Sequence, residues 1–281
     1  SFDKETQRTV AKRCLRYADP TFSIFKKAMS DDERYLLREL LTLVGQFDGL
    51  PELSTLEDLR ARLQLSESKQ IIDLSKNPLS NSNLFAQLFS AISHKQVIKI
   101  QYYRFDNINN HHDTIVHPYL LKEYNRRWYL ICASEKDDKL LTFALDRIIS
   151  IETLPAHTYK EYDDNLQERY EDIVGVTLYE NKPLEHIVFW VSDESKHYVM
   201  TKPIHESQRN YTQERATELR KTYPMLINGA FFSVDCIVNY ELIRELMSFG
   251  KDLLVLEPQN IKNEIIEKIS TNLEEYTKLR T

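Results

Sequence analysis

The feature that most limits how this chain can fold is a change of hydrophobic period just after Lys95. Before it, apolar residues recur three and four apart, the spacing of one helix face; after it they alternate, the spacing of a half-buried strand. Ser30-Asp31-Asp32-Glu33 is a capping box, followed by Leu36, Leu37, Leu40, Leu41, Val44 and Phe47, with a stop at Gly49-Leu50-Pro51. A second box, Ser54-Thr55-Leu56-Glu57, opens a shorter helix, and residues 66–82, rich in Ser, Asn and Lys, read as a linker. A third helix begins near Asn83 and carries Leu84, Phe85, Leu88, Phe89 and Ile92 on one side. Then Ile98, Ile100 and Tyr102 alternate with Lys99, Gln101 and Tyr103. Further strands are expected at 115–122, 127–133, 140–145 and 147–153, separated by turns at Asp106–Asp113, Tyr124–Arg126 and Ser134–Lys139. Five short strands with no intervening helix predict a small barrel, because closure leaves no unpaired edge.

Pro155 and the polar stretch 157–172 read as a second linker. Beyond it, the pattern predicts a strand at His186–Val191, a short helix at 193–202, a weak strand at 205–211 and a strong one at 231–238. Asn239 caps a helix carrying Leu242, Ile243, Leu246 and Met247, which ends at Gly250. Leu253–Glu257 is the last strand, and Pro258 opens a helix with Ile261, Ile265, Ile266, Ile269, Leu273 and Tyr276. The order β-α-β-β-α-β plus a helix predicts a ferredoxin-like domain, so the fold class is α+β.

Composition narrows the function classes. A length of 281 residues suggests about two domains. The start lacks the profile of a signal peptide, and no apolar run approaches the ~18 residues of a membrane span, so no membrane association is expected. Cys14, Cys132 and Cys236 are too far apart for a zinc site and too few for a disulfide framework, which points to a reducing cytoplasm. The five glycines form neither GxGxxG nor a phosphate loop, which argues against a dinucleotide fold or a nucleoside triphosphatase.

Residues 94–130 stand out. They hold Lys95, Lys99, Arg104, Lys122, Arg126 and Arg127 against Asp106, Asp113 and Glu123, within a chain of net charge −6. Tyr102, Tyr103, Phe105, Tyr119, Tyr124, Trp128 and Tyr129 are interleaved with them, and Arg147 follows on a neighbouring strand. Guanidiniums pair with phosphate oxygens and rings stack on bases, so this mixture suits a phosphodiester or nucleotide. The same rings could equally fill a small core while the cations stay solvated.

Three motifs bear on identity: His117-Pro118-Tyr119, Arg127-Trp128-Tyr129-Leu130, and Thr142-Phe143-Ala144-Leu145-Asp146-Arg147-Ile148. In this order and spacing they resemble the WYL domain family, which takes its name from the Trp-Tyr-Leu tripeptide. The region from His186 to about Tyr276 looks like the C-terminal extension that often follows such a domain. The resemblance implies an Sm- or SH3-like five-stranded barrel within a bacterial transcriptional regulator, working as an effector sensor. In such regulators a winged helix-turn-helix precedes the barrel, and Arg13 to Phe25 looks like the exit from its wing. The DNA-reading helices would then lie upstream, in keeping with the missing initiator Met, and promoter DNA would be bound there by a homodimer. The domains expected are the end of the wing with a helical linker at 1–82, the barrel at 83–155, a linker at 156–185 and the ferredoxin-like domain at 186–281.

Carried over by position, the ligand-site candidates are Tyr102, His117, Tyr119, Arg127, Trp128 and Arg147, for a nucleotide or single-stranded nucleic acid. Leu141 and Ala144 stand where family members often have arginine, which lowers the expected cation count. Each candidate also has a structural explanation: Trp128 in the core, Arg147 paired with Asp146 or Asp113, His117 bonded to a nearby loop. Two other classes stay open, a ligand-free protein-interaction module and a nucleotide-processing enzyme. The enzyme reading has little support. His111-His112-Asp113 with His117 matches no metal-ligand spacing, Cys132 lies in an apolar strand, and Asp137-Asp138 and Asp163-Asp164 fall in turns. No motif joins nucleophile, base and oxyanion donors, so no catalytic residue, metal or cofactor is expected.

Overall fold

The computed structural model describes residues 30–44, 61, 82–105, 107–162, 166–179 and 181–279. The chain divides after Leu74 into two units, each described by itself. In the first, helix α1 (Asp31–Val44) opens on the expected box: the Ser30 amide donates to Glu33 Oε2 at 2.7 Å, and the Glu33 amide to Ser30 Oγ at 3.2 Å. The expected stop at Gly49, the helix from Ser54, most of the 66–82 linker, the wing segment Arg13–Phe25 and Cys14 lie outside the described residues.

The second unit begins with helix α2 (Ser82–Ser93), then strands β1 (Ile98–Arg104), β2 (Asn107–Tyr124), β3 (Arg127–Ser134), β4 (Leu140–Ala144) and β5 (Ile148–Thr153). They form one antiparallel sheet in the order β4-β3-β2-β1-β5. It is an open sheet, not the closed barrel expected, because its outer strands β4 and β5 are joined only by the 3-10 turn Leu145–Arg147 and share no ladder among the described residues. A second departure is β2, which starts at Asn107 and turns the expected 106–113 loop into strand. His112 pairs with Tyr102 and Asp113 with Gln101 across to β1. Asn, His and Asp carry no apolar alternation, so cross-strand backbone bonds, helped by a Lys99–Asp113 ion pair at 2.8 Å, decide the conformation there.

β2 and β3 meet at a two-residue turn in which Asn125 (φ 52°) and Arg126 (φ 65°) are both left-handed. That geometry matches the twist of a hairpin, and it places Tyr124 directly opposite Arg127 at the tip.

Downstream come α3 (Leu166–Arg169), β6 (Leu184–Val191), α4 (Lys196–Thr201), β7 (Arg209–Asn210), α5 (Gln213–Thr222), β8 (Ala230–Ile237), α6 (Tyr240–Ser248), β9 (Leu253–Glu257) and α7 (Gln259–Lys278). The second sheet is antiparallel in the order β7-β8-β6-β9. Helix α5, absent from the expected order, lies between β7 and β8. Its Ala216 and Leu219 pack with Val188, Phe231 and Leu256 on one face of the sheet. On the opposite face Ile187, Phe189, Phe232 and Val234 meet Leu242, Ile243 and Leu246 of α6 and Ile261 of α7. Burial on both faces explains why β6 and β8 read as continuous apolar runs. Helix α5 escapes the periodicity because only those two of its ten residues are buried.

The expected 156–185 linker includes an ordered strap. Tyr170 and Ile173 cover Ile131 of β3. Thr142 Oγ1 donates to the Val176 carbonyl at 3.3 Å, and the Ile237 amide to the Asp172 carbonyl at 2.8 Å. Asn239 does two jobs: its Oδ1 accepts the Leu242 amide at 2.9 Å, capping α6, while Nδ2 donates to the Val174 and Thr177 carbonyls at 2.8 and 2.9 Å. Gly175 permits this path, with φ of +84° and a Cβ position only 2.6 Å from Glu241 Cγ.

Candidate ligand-binding site

Alternation along β3 sorts its aromatic and basic residues onto two sides. Trp128 meets Phe85 of α2 edge-on, ring centroids 4.8 Å apart. Arg127 and Tyr129, one position to either side, line a cavity of about 530 Å³. That size is ordinary for a small-molecule site. Tyr124 and Asn125 come from the hairpin tip, Phe105 follows β1, and Thr142 and Arg147 come from β4 and the 3-10 turn. The opposite wall is built by Val176 and Thr177 of the strap and by Tyr240, Glu241 and Arg244 of α6. The cavity therefore lies between the two sheets' domains.

The cations are held by rings and by one acid. Arg147 Cζ stands 4.7 Å from the Phe105 ring centroid and 5.1 Å from that of Tyr102. Such contacts hold a guanidinium in place without neutralising it. Arg127 Nη2 is 3.2 Å from Asp146 Oδ2, and its side chain is 37 % exposed. The Tyr103 hydroxyl fixes the 3-10 turn by donating to the Asp146 carbonyl at 3.3 Å. Arg147 Nε, Asp146 Oδ1 and Glu241 Oε2 are buried and have no hydrogen-bond partner. The other Glu241 oxygen accepts from Thr177 Oγ1 at 2.8 Å. Burial pushes the Tyr124 phenol up, with Glu245 adding to the effect and Arg244 opposing it. Burial also raises the Tyr102 phenol, which is 8 % exposed, against the pull of Arg147.

Of the six residues singled out from sequence, the structure brings Arg127 and Arg147 to the cavity and sets Tyr102 behind Arg147. Trp128 packs against α2 instead. Tyr119 and His117 belong to a separate cluster with Tyr159, their ring centroids 6.1 and 5.8 Å from it. The Tyr119 hydroxyl donates to the Lys160 carbonyl at 3.0 Å, and His117 Nδ1 accepts the Lys160 amide at 3.2 Å. These bonds dock the segment after β5 onto β2, which is a structural task.

His117 gives this cluster an acid sensitivity. It is 3 % exposed, and burial lowers its pKa from 6.5 against the opposing pull of Glu135 and Asp138, with Lys160 and His157 adding to the shift. A proton on Nδ1 would also set donor against donor at the Lys160 amide. The folded state thus binds fewer protons than the unfolded chain. The stability involved is complete above about pH 6.5 and is lost as pH falls toward the folded-state value. Urea unfolding at pH 7.5 and 5.5 is expected to show a larger loss for the wild type than for His117→Gln; equal losses would remove His117 as the source.

Sequence reasoning did not select Phe105, Tyr124, Tyr129, Thr142 or the α6 trio. Phe105, Tyr124 and Tyr129 belonged to the cation-rich window, and strand alternation with Arg127 was the available signal for Tyr129. Nothing local marks Tyr240 and Arg244, four apart on α6, as facing a domain about a hundred residues earlier in the chain. Leu141 and Ala144 are not among the residues that line the cavity; Ala144 is buried opposite Tyr129, and Leu141 pairs with Cys132. Other cations of the window are engaged elsewhere: Lys95 pairs with Glu161, and Lys122 lies over Tyr170 at 5.5 Å.

Catalytic alternatives find little in the geometry. Burial pushes the Cys132 thiol far up and that of Cys236 to about 12, and His157 Nδ1 pairs with Glu135 Oε1 at 2.7 Å. Among the described residues no group of three or more His, Cys, Asp or Glu side chains comes together as a metal site, and no helix is long and apolar enough to cross a membrane.

Comparison with known proteins adds two family matches. The WYL domain model matches residues 83–153, and the WCX domain model matches residues 183–271. No curated protein matches the chain. Among solved structures, it is similar to proteasome accessory factor B/C (PafBC) of Arthrobacter aurescens at 15 % identity and a TM-score of 0.28, covering 88 % of this chain and 36 % of that one. It is also similar to a CRISPR Cas-related protein at 13 % identity and a TM-score of 0.41, covering 70 % of this chain and 52 % of that one. The chain thus spans about a third and about a half of the lengths of these two.

Proposed function

Because this chain is a WYL-domain protein with a WCX domain after its WYL domain, we propose that it is the effector-sensing part of a cytoplasmic transcriptional regulator. The effector is an anion, a nucleotide or the end of a single-stranded nucleic acid, taken into the cavity between the two domains. The observation that carries this reading is the convergence of Arg127, Arg147 and Arg244 with Phe105, Tyr124, Tyr129 and Tyr240 on one cavity. Guanidiniums supply charge-assisted bonds to phosphate oxygens, and the rings supply stacking surfaces. Arg244 brings a guanidinium from the WCX side to a domain that has no arginine at Leu141 or Ala144.

The mechanism is a population shift. A ligand held by both walls favours one arrangement of the domains, and a preference of ~5.5 kcal/mol swings a population from 1:99 to 99:1. A DNA-binding domain upstream, on promoter DNA as a homodimer, reads out the change. The exposed residues of α7, Ile266, Ile269, Leu273 and Tyr276, favour a self-association surface, while Ile261 and Ile265 on the same helix face the core. We read the Sm-like barrel as opened between β4 and β5, and the strand order of the second sheet as ferredoxin-like with α5 inserted.

The test is fluorescence-anisotropy binding of short single-stranded DNA and RNA across a salt series, with nucleotides as competitors. Saturable binding that weakens with salt, and that falls at least tenfold in Arg127→Ala, is the expected result. Failure to bind any of these anions, with stable association through the WCX domain, would turn the reading toward the ligand-free interaction module.

A further inference from the structure

A second cavity, of about 370 Å³, adjoins the first on the WCX side. Tyr240 and Arg244, four apart and so neighbours on one face of α6, line both. Lys182 and Tyr179 reach the second cavity from the segment before β6, and Lys268 and Glu264 from α7. These side chains are open to a ligand. Tyr240 is 63 % exposed and Tyr179 40 %, and Lys182, Arg244 and Lys268 are exposed too. Lys182 is held without being neutralised: its Nζ donates to the Val238 carbonyl at 3.2 Å and stands 4.5 Å from the Tyr179 ring centroid. Lys268 has only a loose partner, Glu264 Oε1 at 3.6 Å, in a pair close to half exposed. Three cations thus face one acid at this cavity, in a chain of net charge −6.

From this continuity we infer that Lys182 and Lys268 form a second phosphate site, joined to the first across Tyr240 and Arg244, and that the ligand is a linear single strand of two or more nucleotides. This rests on the anion-binding reading above and narrows it. One nucleotide occupies the cavity between the domains. The strand then crosses Tyr240, whose exposed ring offers a stacking face to a base, and the next phosphate meets the two lysines. A mononucleotide fills one cavity at a time and gains nothing from the other. A linked second nucleotide binds intramolecularly, so its contacts add directly to affinity.

The test is titration calorimetry on the full chain with 5′-phosphorylated thymidine mono-, di- and tetranucleotides. Wild-type affinity is expected to rise at least about tenfold from the mononucleotide to the tetranucleotide. Lys182→Ala/Lys268→Ala should bind the mononucleotide as wild type does and the tetranucleotide about tenfold more weakly, the loss of a charge-assisted contact. Its salt dependence for the tetranucleotide should flatten by about 0.7 in log–log slope, the share of one phosphate on a single strand. Lys136→Ala/Lys139→Ala removes the same charge away from both cavities and should leave the tetranucleotide's affinity nearly unchanged. If affinity does not rise with length, if the Lys182 and Lys268 variant keeps the tetranucleotide's affinity, or if the control loses as much, this inference is overturned and the first anion site stands. If wild type binds none of the three ligands, the anion reading fails and takes this one with it.

Discussion

Asn239→Ala is expected to lower the stability of the second unit by about 3 kcal/mol, the sum of a lost helix cap and two carbonyls left without their donor. The side chain is buried and spends all three of its bonds on different partners: the Leu242 amide in α6 and the Val174 and Thr177 carbonyls in the strap. Alanine removes every one of these bonds. Asn239→Asp separates the two roles. Its carboxylate still caps α6 but has no N–H for the strap, so it should retain part of the loss, with repulsion at the two carbonyls added. Chemical denaturation of the three proteins measures this directly. If alanine costs under 1 kcal/mol, the strap is held by its apolar contacts at Ile131 and not by Asn239.

The other large effect concerns binding. Removing Arg127 and Arg244 together takes one guanidinium from each wall of the cavity. Each charge-assisted bond is worth about 1.5–3 kcal/mol, so the double alanine variant should bind single-stranded oligonucleotide at least a hundredfold more weakly. Both side chains reach solvent, and Arg127 shares its charge with Asp146, so the melting temperature should move little. The single variants carry the structural content. A loss of tenfold or more in Arg244→Ala places the ligand across both domains. A loss confined to Arg127→Ala places it on the WYL side alone and removes the coupling on which the population shift depends.

The elements and the site were not equally legible in the sequence. Helices with caps and one apolar face were plain: the start of α1 and both ends of α6 could be placed to within a residue or two, and Gly250 does lie just past the end of α6 with φ of +57°. Strands with clear alternation, such as β1, were equally plain. What escaped depends on pairing with distant chain. The first half of β2 has no apolar alternation and is strand only because β1 lies beside it. Helix α5 buries too little to show a stripe, and β7 is two residues long. Closure of a barrel is likewise a property of two edges finding each other, which no local pattern encodes. The site divides along the same line. Arg127 and Arg147 were visible because charge beside aromatics on a strand is hard to explain by packing. Trp128, His117 and Tyr119 were equally conspicuous, but a residue's chemistry does not reveal which side of a sheet it faces or what the following segment docks against it. Five of the twelve residues that line the cavity come from α6 and the strap, brought there by tertiary structure alone.

The strap between the two sheets bears on how the molecule can be divided and how it melts. Domain boundaries drawn from the family matches would cut between residues 153 and 183 and assign the segment to neither side. Yet Tyr170 and Ile173 complete the hydrophobic cover of the first sheet, and the Asp172, Val174 and Thr177 carbonyls take donors from the second. A fragment ending at residue 155 would expose Ile131 to water, and one starting at 183 would leave Asn239 without its carbonyl partners. Heat or denaturant should therefore unfold residues 82–279 in a single cooperative transition, with amide protons on both sheets exchanging through the same opening event.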